Sequence, residues 1–480
     1  MRLHAMDLRR LAMLAVATFA LSITLAGTRE ASAQAKARPA PQKWVTTWAA
    51  SAHGPYPIGN ASAQPEQKFA FPDPAAGADD QTFRLIVRPD VWGARARLRF
   101  SNFFGASVLA LDNVYIGLQS YAGNIAKGTN RPVTFGGKAR VSISPGQLLW
   151  SDPVDLKFSR NPTASNLDGR KLAVSFHVAG SSGPMTWHAK ALQTSYVTAP
   201  KAGVHSRDES DTAFPYSTAS WFFLDALDII APADTAVTVC FGDSITDGTA
   251  STMNGDDRWP DVLAQRLHAQ YGRRVTVVNE GIGGNRVVGP ADYSQTPIPG
   301  GPGALDRLER DVLSLSGVTT VVWMEGINDY GAAKTSVEAV TAGYREGIQR
   351  MRAKGIKVIG ATLTAGLNST IKTHGTEEVD AKRKETNEFI RRAGVFDAVV
   401  DFDAATIDSA TGEIKPQMQP NSTTGGAGDK LHPNRAGYAA MANSIDLSLL
   451  APRSQEHGNG ASTPAKRARR GESRWANPTR

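Results

Sequence analysis

The 480-residue sequence is poor in cysteine. It has one, Cys240, so it can form neither an intramolecular disulfide nor a metal cluster of several thiolates. Because Cys240 lies inside an apolar run, the sequence predicts a buried structural thiol rather than a nucleophile. Outside the first 33 residues, no apolar run is long enough for a stable membrane span. The length and the average composition favour a globular protein of two domains.

Most of the chain also has little net charge. The formal charge of +8 is concentrated at the ends: residues 1–33 carry +2 and residues 451–480 carry +5, which leaves +1 for the rest. Proteins that bind nucleic acids present a strongly basic surface, and this body has no such excess. No nucleic-acid partner is therefore expected.

The first 33 residues have the pattern of a cleavable signal peptide. Arg9 and Arg10 precede the apolar residues 11–26, and small residues at Ala31 and Ala33 form a cleavage site. The pattern predicts export by the general secretory or the twin-arginine route. We therefore expect a secreted or periplasmic protein.

Two strand patterns divide the remainder of the chain. From residue 34 to 232, short alternating strands between Gly, Pro and Asn turns favour a β-sandwich-like domain. From 233 to 451, apolar β-branched runs alternate with helical patterns, which is typical of a parallel sheet covered by helices on both faces. Residues 452–480 are rich in Gly, Ser, Asn and Arg and are predicted to be a disordered basic tail.

The elements of the second domain can be predicted individually. Its buried strands are expected over residues 237–241, 275–278, 318–324, 357–361 and 398–402. Its helices are expected over residues 259–270, 305–315, 337–352, 379–392 and 433–449, with Pro433 at the first helical position. In the first domain Arg95, Arg97 and Arg99 alternate with apolar residues. This stripe favours a solvated strand face over an anion-binding site.

A candidate nucleophile follows the first apolar run of the second domain. The run stops at Gly242-Asp243-Ser244, and the carboxyl ends of parallel strands are where open α/β sheets bind ligands. Taken alone, the motif is equally compatible with an ordinary turn that contains a serine.

A candidate base lies near the end of the same domain. A serine hydroxyl needs a neighbouring imidazole to accept its proton, and the imidazole needs an acceptor on its other nitrogen. His432 and Asp429, three residues apart, offer this pair. The remaining histidines show no metal-ligand spacing, so no metal and no organic cofactor is expected.

Donors for an oxyanion follow the next two strands. A Gly-rich segment over residues 279–285 supplies backbone N–H groups, and Asn328 supplies a side-chain amide. The glycines also fit the start of a dinucleotide-binding loop, but Arg286 follows where that pattern needs its third glycine.

Together these four stretches resemble the four blocks of the SGNH hydrolases, also called the GDSL esterase/lipase family. A β-rich first half is similar to a bacterial branch related to aryl- and acetyl-esterases. The resemblance implies a flavodoxin-like three-layer α/β domain preceded by the β-sandwich-like one. It also implies that Ser244 is the nucleophile, His432 the base and Asp429 its orienting carboxylate. The Ser244 and Gly284 N–H groups and the Asn328 amide then form the oxyanion hole.

The expected activity is hydrolysis of short-chain, above all acetyl, esters of carbohydrate or aryl alcohols through an acyl-serine. Polar loops and the absence of an amphipathic lid favour this over a lipase or lysophospholipase. Trp259 and Tyr330 are candidates to stack on a sugar or aryl ring, although core packing suits Trp259 equally. An acyltransferase on polysaccharide, and a non-catalytic polysaccharide-binding envelope protein, remain as alternatives.

Overall fold

The computed structural model describes residues 41–61, 64–159, 167–392, 394–419 and 426–452. The predicted signal peptide, and the predicted tail apart from its first residue, lie outside these ranges. None of the described helices combines the length and the apolarity that a membrane-spanning helix needs.

Antiparallel strands occupy the first part of the described chain. They are β1 (Gln42–Ala49), β2 (Gly54–Pro55), β3 (Asp79–Val87), β4 (Arg95–Ser101), β5 (Leu109–Leu118), β6 (Arg131–Pro132), β7 (Arg140–Ile143), β8 (Leu148–Trp150), β9 (Val154–Asp155), β10 (Leu172–Ser181), β11 (Thr186–His188), β12 (Ser195–Val197), β13 (Tyr216–Thr218), β14 (Trp221–Phe222) and β15 (Leu224–Pro232). A seven-stranded sheet has the order β13-β12-β3-β10-β5-β6 with β7 also on β5, and a five-stranded sheet has the order β1-β15-β4-β8 with β9 also on β4. A third, three-stranded sheet has the order β14-β11-β2.

Aromatic side chains join the two larger sheets. Phe83 of β3 and Phe176 of β10 stack in the seven-stranded sheet with ring centroids 5.3 Å apart. Phe100 of β4, in the five-stranded sheet, meets Phe176 edge to face at 5.2 Å. All three side chains are completely buried, as inward positions of facing sheets should be. The predicted sandwich-like, β-rich architecture is therefore confirmed; we call it the antiparallel region.

The second part of the chain alternates strands and helices and is called the α/β region below. Its strands are β16 (Ala236–Gly242), β17 (Val275–Gly281), β18 (Val318–Met324), β19 (Lys357–Ala361) and β20 (Ala398–Val400). Its helices are α1 (Ser244–Asp247), α2 (Trp259–Tyr271), α3 (Ala304–Leu308), α4 (Ile327–Gly331), α5 (Val337–Ala353), α6 (Glu377–Arg392), α7 (Phe402–Thr406) and α8 (Arg435–Asn443). The sheet order is β17-β16-β18-β19-β20 and every pair is parallel. This is the flavodoxin-like order, so the predicted fold class is confirmed.

Side-chain caps explain where the predicted element boundaries differ from the structure. Asp401 accepts a hydrogen bond from Ala404 N at 3.0 Å, so α7 begins where the last strand was expected to continue. Asn434 caps α8 by accepting from Ala436 N at 2.9 Å, so Pro433 precedes the helix instead of opening it. The predicted helix over residues 305–315 is α3 followed by one π-helical turn, Glu309–Leu313.

Two of the three arginines of the β4 stripe, Arg97 and Arg99, are not solvated as the alternation favoured, whereas the Arg95 side chain is 53% exposed. Arg99 is only 3% exposed, and its Nε lies 2.7 Å from Asp225 Oδ1. Its Nη1 donates to Ser314 Oγ of the α/β region at 2.9 Å. Arg97 likewise pairs with Asp228 at 2.8 Å. The expectation was wrong for Arg97 and Arg99 because the sheet packs this part of its face against the second part of the chain, where paired arginines are stable.

Candidate active site

The carboxyl end of β16 places Ser244 at the edge of the parallel sheet. Gly242 ends the strand, and a Cβ there would lie 2.3 Å from Met324 O of the neighbouring strand, so only glycine fits. Asp243 then caps α1 by accepting from Ile245 N at 3.0 Å. Ser244 is consequently the first residue of a helix at the edge where such sheets bind ligands.

Ser244, His432 and Asp429 form one hydrogen-bonded chain across 188 residues of sequence. Ser244 Oγ lies 2.8 Å from His432 Nε2, and His432 Nδ1 lies 2.6 Å from Asp429 Oδ2. With Asp429 ionised, His432 Nδ1 is the donor in the second contact. His432 Nε2 is then left as an acceptor that faces the serine hydroxyl. The arrangement places a base within reach of the Ser244 proton.

Asp429 is held in its ionised form. Burial alone would raise the pKa of Asp429, but hydrogen bonds from the His432 imidazole and from backbone N–H groups outweigh it and keep this pKa well below its usual range. The backbone donors are His432 N at 2.8 Å and Leu431 N at 2.9 Å, both on Asp429 Oδ1. A carboxylate fixed in this way keeps the imidazole in one orientation.

The predicted oxyanion donors lie in the same pocket as Ser244 and His432. Gly284 and Asn328 both line this pocket, which has a volume of about 390 Å³. Among the described residues, neither Ser244 N–H nor Gly284 N–H has a hydrogen-bond acceptor. Gly284 has a φ of +84°, a conformation that glycine adopts without strain. The structure thus brings all of the predicted site residues together.

His374, which the sequence analysis did not select, fixes the Asn328 amide. His374 Nε2 lies 3.0 Å from Asn328 Oδ1, and Asn328 Nδ2 donates to Asn285 O at 2.9 Å. Burial, followed by the proximity of His432, lowers the pKa of His374. With its oxygen and one N–H engaged, Asn328 retains one N–H for a further acceptor. No motif marks His374, since it lies in a loop remote in sequence from all four blocks.

The antiparallel region supplies part of the pocket wall. Besides the residues above, the wall consists of Asn60, Ala61, Lys190, Gly283, Arg286, Ile298, Pro299, Gly300, Ala332, Ile371 and Leu431. Asn60 Nδ2 donates to Gly283 O at 2.6 Å, and Lys190 Nζ donates to Thr249 Oγ1. Sequence reasoning missed Asn60 and Lys190 because nothing in a strand-rich segment indicates which loop reaches another region.

Arg307 connects the loops beneath the pocket. Its side chain is completely buried and donates to Gly242 O at 2.9 Å, Glu280 O at 2.8 Å and Asn285 Oδ1 at 2.7 Å. These acceptors lie just before Ser244, at the end of β17, and in the segment that contacts Asn328. One guanidinium therefore holds together the backbone segments that carry the serine and the proposed oxyanion donors.

Trp259 and Tyr330 do not reach the pocket. Trp259 is fully buried and packs on Phe402 with ring centroids 5.2 Å apart. Tyr330 is 1% exposed and its hydroxyl bonds to Thr386. Trp259 therefore follows the core-packing alternative, and neither side chain is placed to stack on substrate, because closeness in sequence to a motif does not fix the direction of a side chain.

The buried acids and histidines could in principle bind a metal ion, so their arrangement matters. In the parts of the chain that the structure describes, no group of three His, Cys, Asp or Glu residues is placed to hold a metal ion.

Cys240 is buried, as predicted, and burial raises its thiol pKa well above the ordinary value.

A flavodoxin-like sheet with a Ser-His-Asp chain at its carboxyl edge defines a hydrolase-like site. Residues 240–440 match the GDSL-like lipase/acylhydrolase family. This region of the chain therefore belongs to the GDSL, or SGNH, family, and the protein is a carboxylic ester hydrolase.

Three similar solved structures each cover less than half of this chain. A native aryl esterase from M. smegmatis is 18% identical with a TM-score of 0.35, over 45% of this chain and all of that one. A carbohydrate acetylesterase family member from Sinorhizobium meliloti is 15% identical with a TM-score of 0.34, over 45% and 97%. A GDSL-like lipase from Bacteroides thetaiotaomicron is 17% identical with a TM-score of 0.33, over 46% and 89%. These likenesses are too distant to indicate a substrate. No curated protein matches the chain significantly.

Proposed function

We propose that this protein is an exported serine esterase that hydrolyses short-chain, above all acetyl, esters of carbohydrate or aryl alcohols. The observation that carries the proposal is the 2.8 Å contact between Ser244 Oγ and His432 Nε2, extended by the 2.6 Å contact to Asp429. Export rests on the signal-peptide pattern of residues 1–33.

The proposed reaction has two halves. Ser244 Oγ attacks the ester carbonyl while His432 takes its proton, and the tetrahedral oxyanion accepts hydrogen bonds from Ser244 N–H, Gly284 N–H and the Asn328 amide. His432 then protonates the departing alcohol, which leaves an acyl-Ser244. Water, deprotonated by His432, attacks the acyl group, and collapse of the second tetrahedral intermediate releases the carboxylic acid and restores Ser244.

The size and the wall of the pocket support a short acyl group. A volume of about 390 Å³ is near the lower end of small-molecule sites. The large aliphatic side chains of its wall are Ile298, Ile371 and Leu431, and glycines and polar side chains form much of the rest. A long acyl chain would need a deeper apolar channel to offset the loss of its freedom on binding.

A series of p-nitrophenyl esters tests the proposal. We expect kcat/KM to be highest for acetate and to fall as the acyl chain lengthens past butyrate. A fluorophosphonate probe should label the wild-type protein on Ser244 and should not label Ser244→Ala. A maximum at octanoate or longer would overturn the short-chain assignment and favour a lipase. Labelling of another residue would overturn the proposed nucleophile.

A further inference from the structure

Two cationic side chains line the pocket that holds Ser244. Lys190 extends from the antiparallel region and Arg286 follows the Gly-rich segment of the α/β region. The residues that form the pocket wall include neither Asp nor Glu. The wall therefore carries positive charge on both of the regions that build it.

Lys190 is buried and has no direct ion pair among the described residues. It is 4% exposed, and its Nζ donates to Thr249 Oγ1. A Cβ on Gly283 would lie 3.0 Å from Lys190 Nζ, so the ammonium group packs directly against the segment that contains Gly284. Burying an ammonium group without a direct ion pair costs free energy, which the carboxylates around Lys190 offset only in part.

Of the three acids whose charges act on Lys190, Asp247 and Asp429 already have other partners. Asp247 accepts from Gly283 N at 2.9 Å and lies 3.2 Å from His188 Nε2. Asp429 is engaged by His432. Burial lowers the pKa of Lys190, and the charges of Asp247, Asp243 and Asp429 oppose that decrease.

Arg286 has no ion pair among the described residues either, and its buried Nε has no hydrogen-bond partner there. Asp329, whose carboxylate the charge of Arg286 influences, accepts instead from Val287 N at 2.9 Å and Val288 N at 3.0 Å. The internal segments outside the described ranges, residues 62–63, 160–166, 393 and 420–425, contain no Asp or Glu. None of them can therefore neutralise either cation.

We infer that the substrate carries an anionic group, such as a carboxylate, which Lys190 and Arg286 bind beside the scissile ester. This inference rests on the proposed esterase function and specifies its substrate class. In a partly enclosed site, a charge-assisted contact of this kind is stronger than in bulk water and also attracts the substrate from solution. The anionic group belongs either to the alcohol, as in an acetylated acidic sugar, or to the acyl group, as in a dicarboxylic hemiester.

Matched esters separate these two sources. The alcohol arm compares 4-carboxyphenyl acetate with 4-carbamoylphenyl acetate, which is similar in shape but neutral. The acyl arm compares the p-nitrophenyl hemiester of succinic acid with its methyl diester. In at least one arm we expect kcat/KM of the wild-type protein to be about tenfold higher for the anionic ester, and the preference to shrink as salt is added.

Charge variants test whether these side chains are responsible. Arg286→Gln and Lys190→Gln should each reduce the anionic-to-neutral ratio of kcat/KM by several-fold, and Arg286→Lys should restore most of it. Lys138→Gln, at an exposed site of the antiparallel region, should leave the ratio unchanged. Since Arg286 is only half-buried, its variants test the inference even if Lys190→Gln does not fold.

Three outcomes would overturn the inference. The first is hydrolysis of the neutral esters with no preference for the anionic ones in either arm, which would leave the esterase assignment intact. The second is an equal loss on both members of a pair in the variants, which would mean that the cations act on the reacting ester itself. The third is hydrolysis of none of the four esters, which would overturn the proposed function as well.

Discussion

Arg307→Met should destabilise the protein strongly, although methionine keeps much of the side-chain volume over the Phe241 ring. In the native structure the Arg307 guanidinium lies 4.0 Å from that ring centroid and is completely buried. The substitution removes five hydrogen bonds, which the guanidinium donates to Gly242 O, Glu280 O, Asn285 Oδ1, Ser51 Oγ and Asp311 Oδ2. It also removes the cation nearest the Glu325 carboxylate, 3.6 Å away.

The expected loss of unfolding free energy follows from the Glu325 carboxylate, which stays buried without its cation. Breaking a buried ion pair by removing one partner typically costs about 3–5 kcal/mol, since the remaining charge has lost its compensation. Burial already raises the pKa of Glu325, and Arg307 is the charge that opposes this rise. Without Arg307 the folded-state pKa rises further above the unfolded value. The resulting destabilisation is present above the unfolded pKa and disappears below it, so the deficit should shrink on acidification.

Denaturant unfolding of both proteins at about pH 7.5 and about pH 4.5 measures the effect. The matched control is Arg392→Met, whose side chain is 79% exposed and pairs with Glu388 on the surface of α6. The free energy of unfolding of this control should be close to that of the wild type, because surface ion pairs contribute little to stability. Equal stability of Arg307→Met and the control would refute the reasoning. A deficit that grew on acidification would refute the role assigned to Glu325.

Three further predictions concern the site itself. Ser244→Ala and His432→Ala should each abolish ester turnover, and the double variant should be scarcely worse; losses that multiply would contradict a shared role. Asn328→Ala should lower kcat about 10²- to 10³-fold, whereas an effect confined to KM would make Asn328 a binding residue only. Burial raises the pKa of Asp243 to about 8, so the wild type should lose stability relative to Asp243→Asn as pH rises from about 4 towards 8. Unfolding curves at about pH 5 and about pH 8 measure this, and a constant difference would contradict it.

The parallel sheet was predictable because its strands are continuous apolar runs, buried on both faces and separated by helical periodicity. The predicted strands over residues 318–324 and 357–361 coincide with β18 and β19. Ser244, Asn328 and His432 were likewise predictable, since each directly follows or precedes a recognisable element. Local pattern located these candidates, and the combination of all four stretches indicated their roles.

Features that depend on distant contacts were not predictable. Arg307 joins Ser51, Gly242 and Glu280, which are up to 256 residues away in sequence. His374 and Lys190 lie outside every motif, and their roles depend on which loop folds over the pocket. Arg99 belongs to an alternating pattern that is typical of a solvated strand face, yet the α/β region covers its side chain. Period-two patterning distinguishes the two faces of a strand but does not reveal what covers the second face.

Asn60 and Lys190 of the pocket wall belong to the antiparallel region, whereas the catalytic residues belong to the α/β region. Substitutions that affect substrate selection and substitutions that affect catalysis can therefore arise in different parts of the chain. Substitutions in the antiparallel region can alter which molecules enter, while the serine, the histidine and the oxyanion donors remain untouched on the other side. Related proteins can therefore change their substrate range through this region without altering the catalytic residues. For protein engineers, the loops around these two residues are accordingly the first place to build libraries.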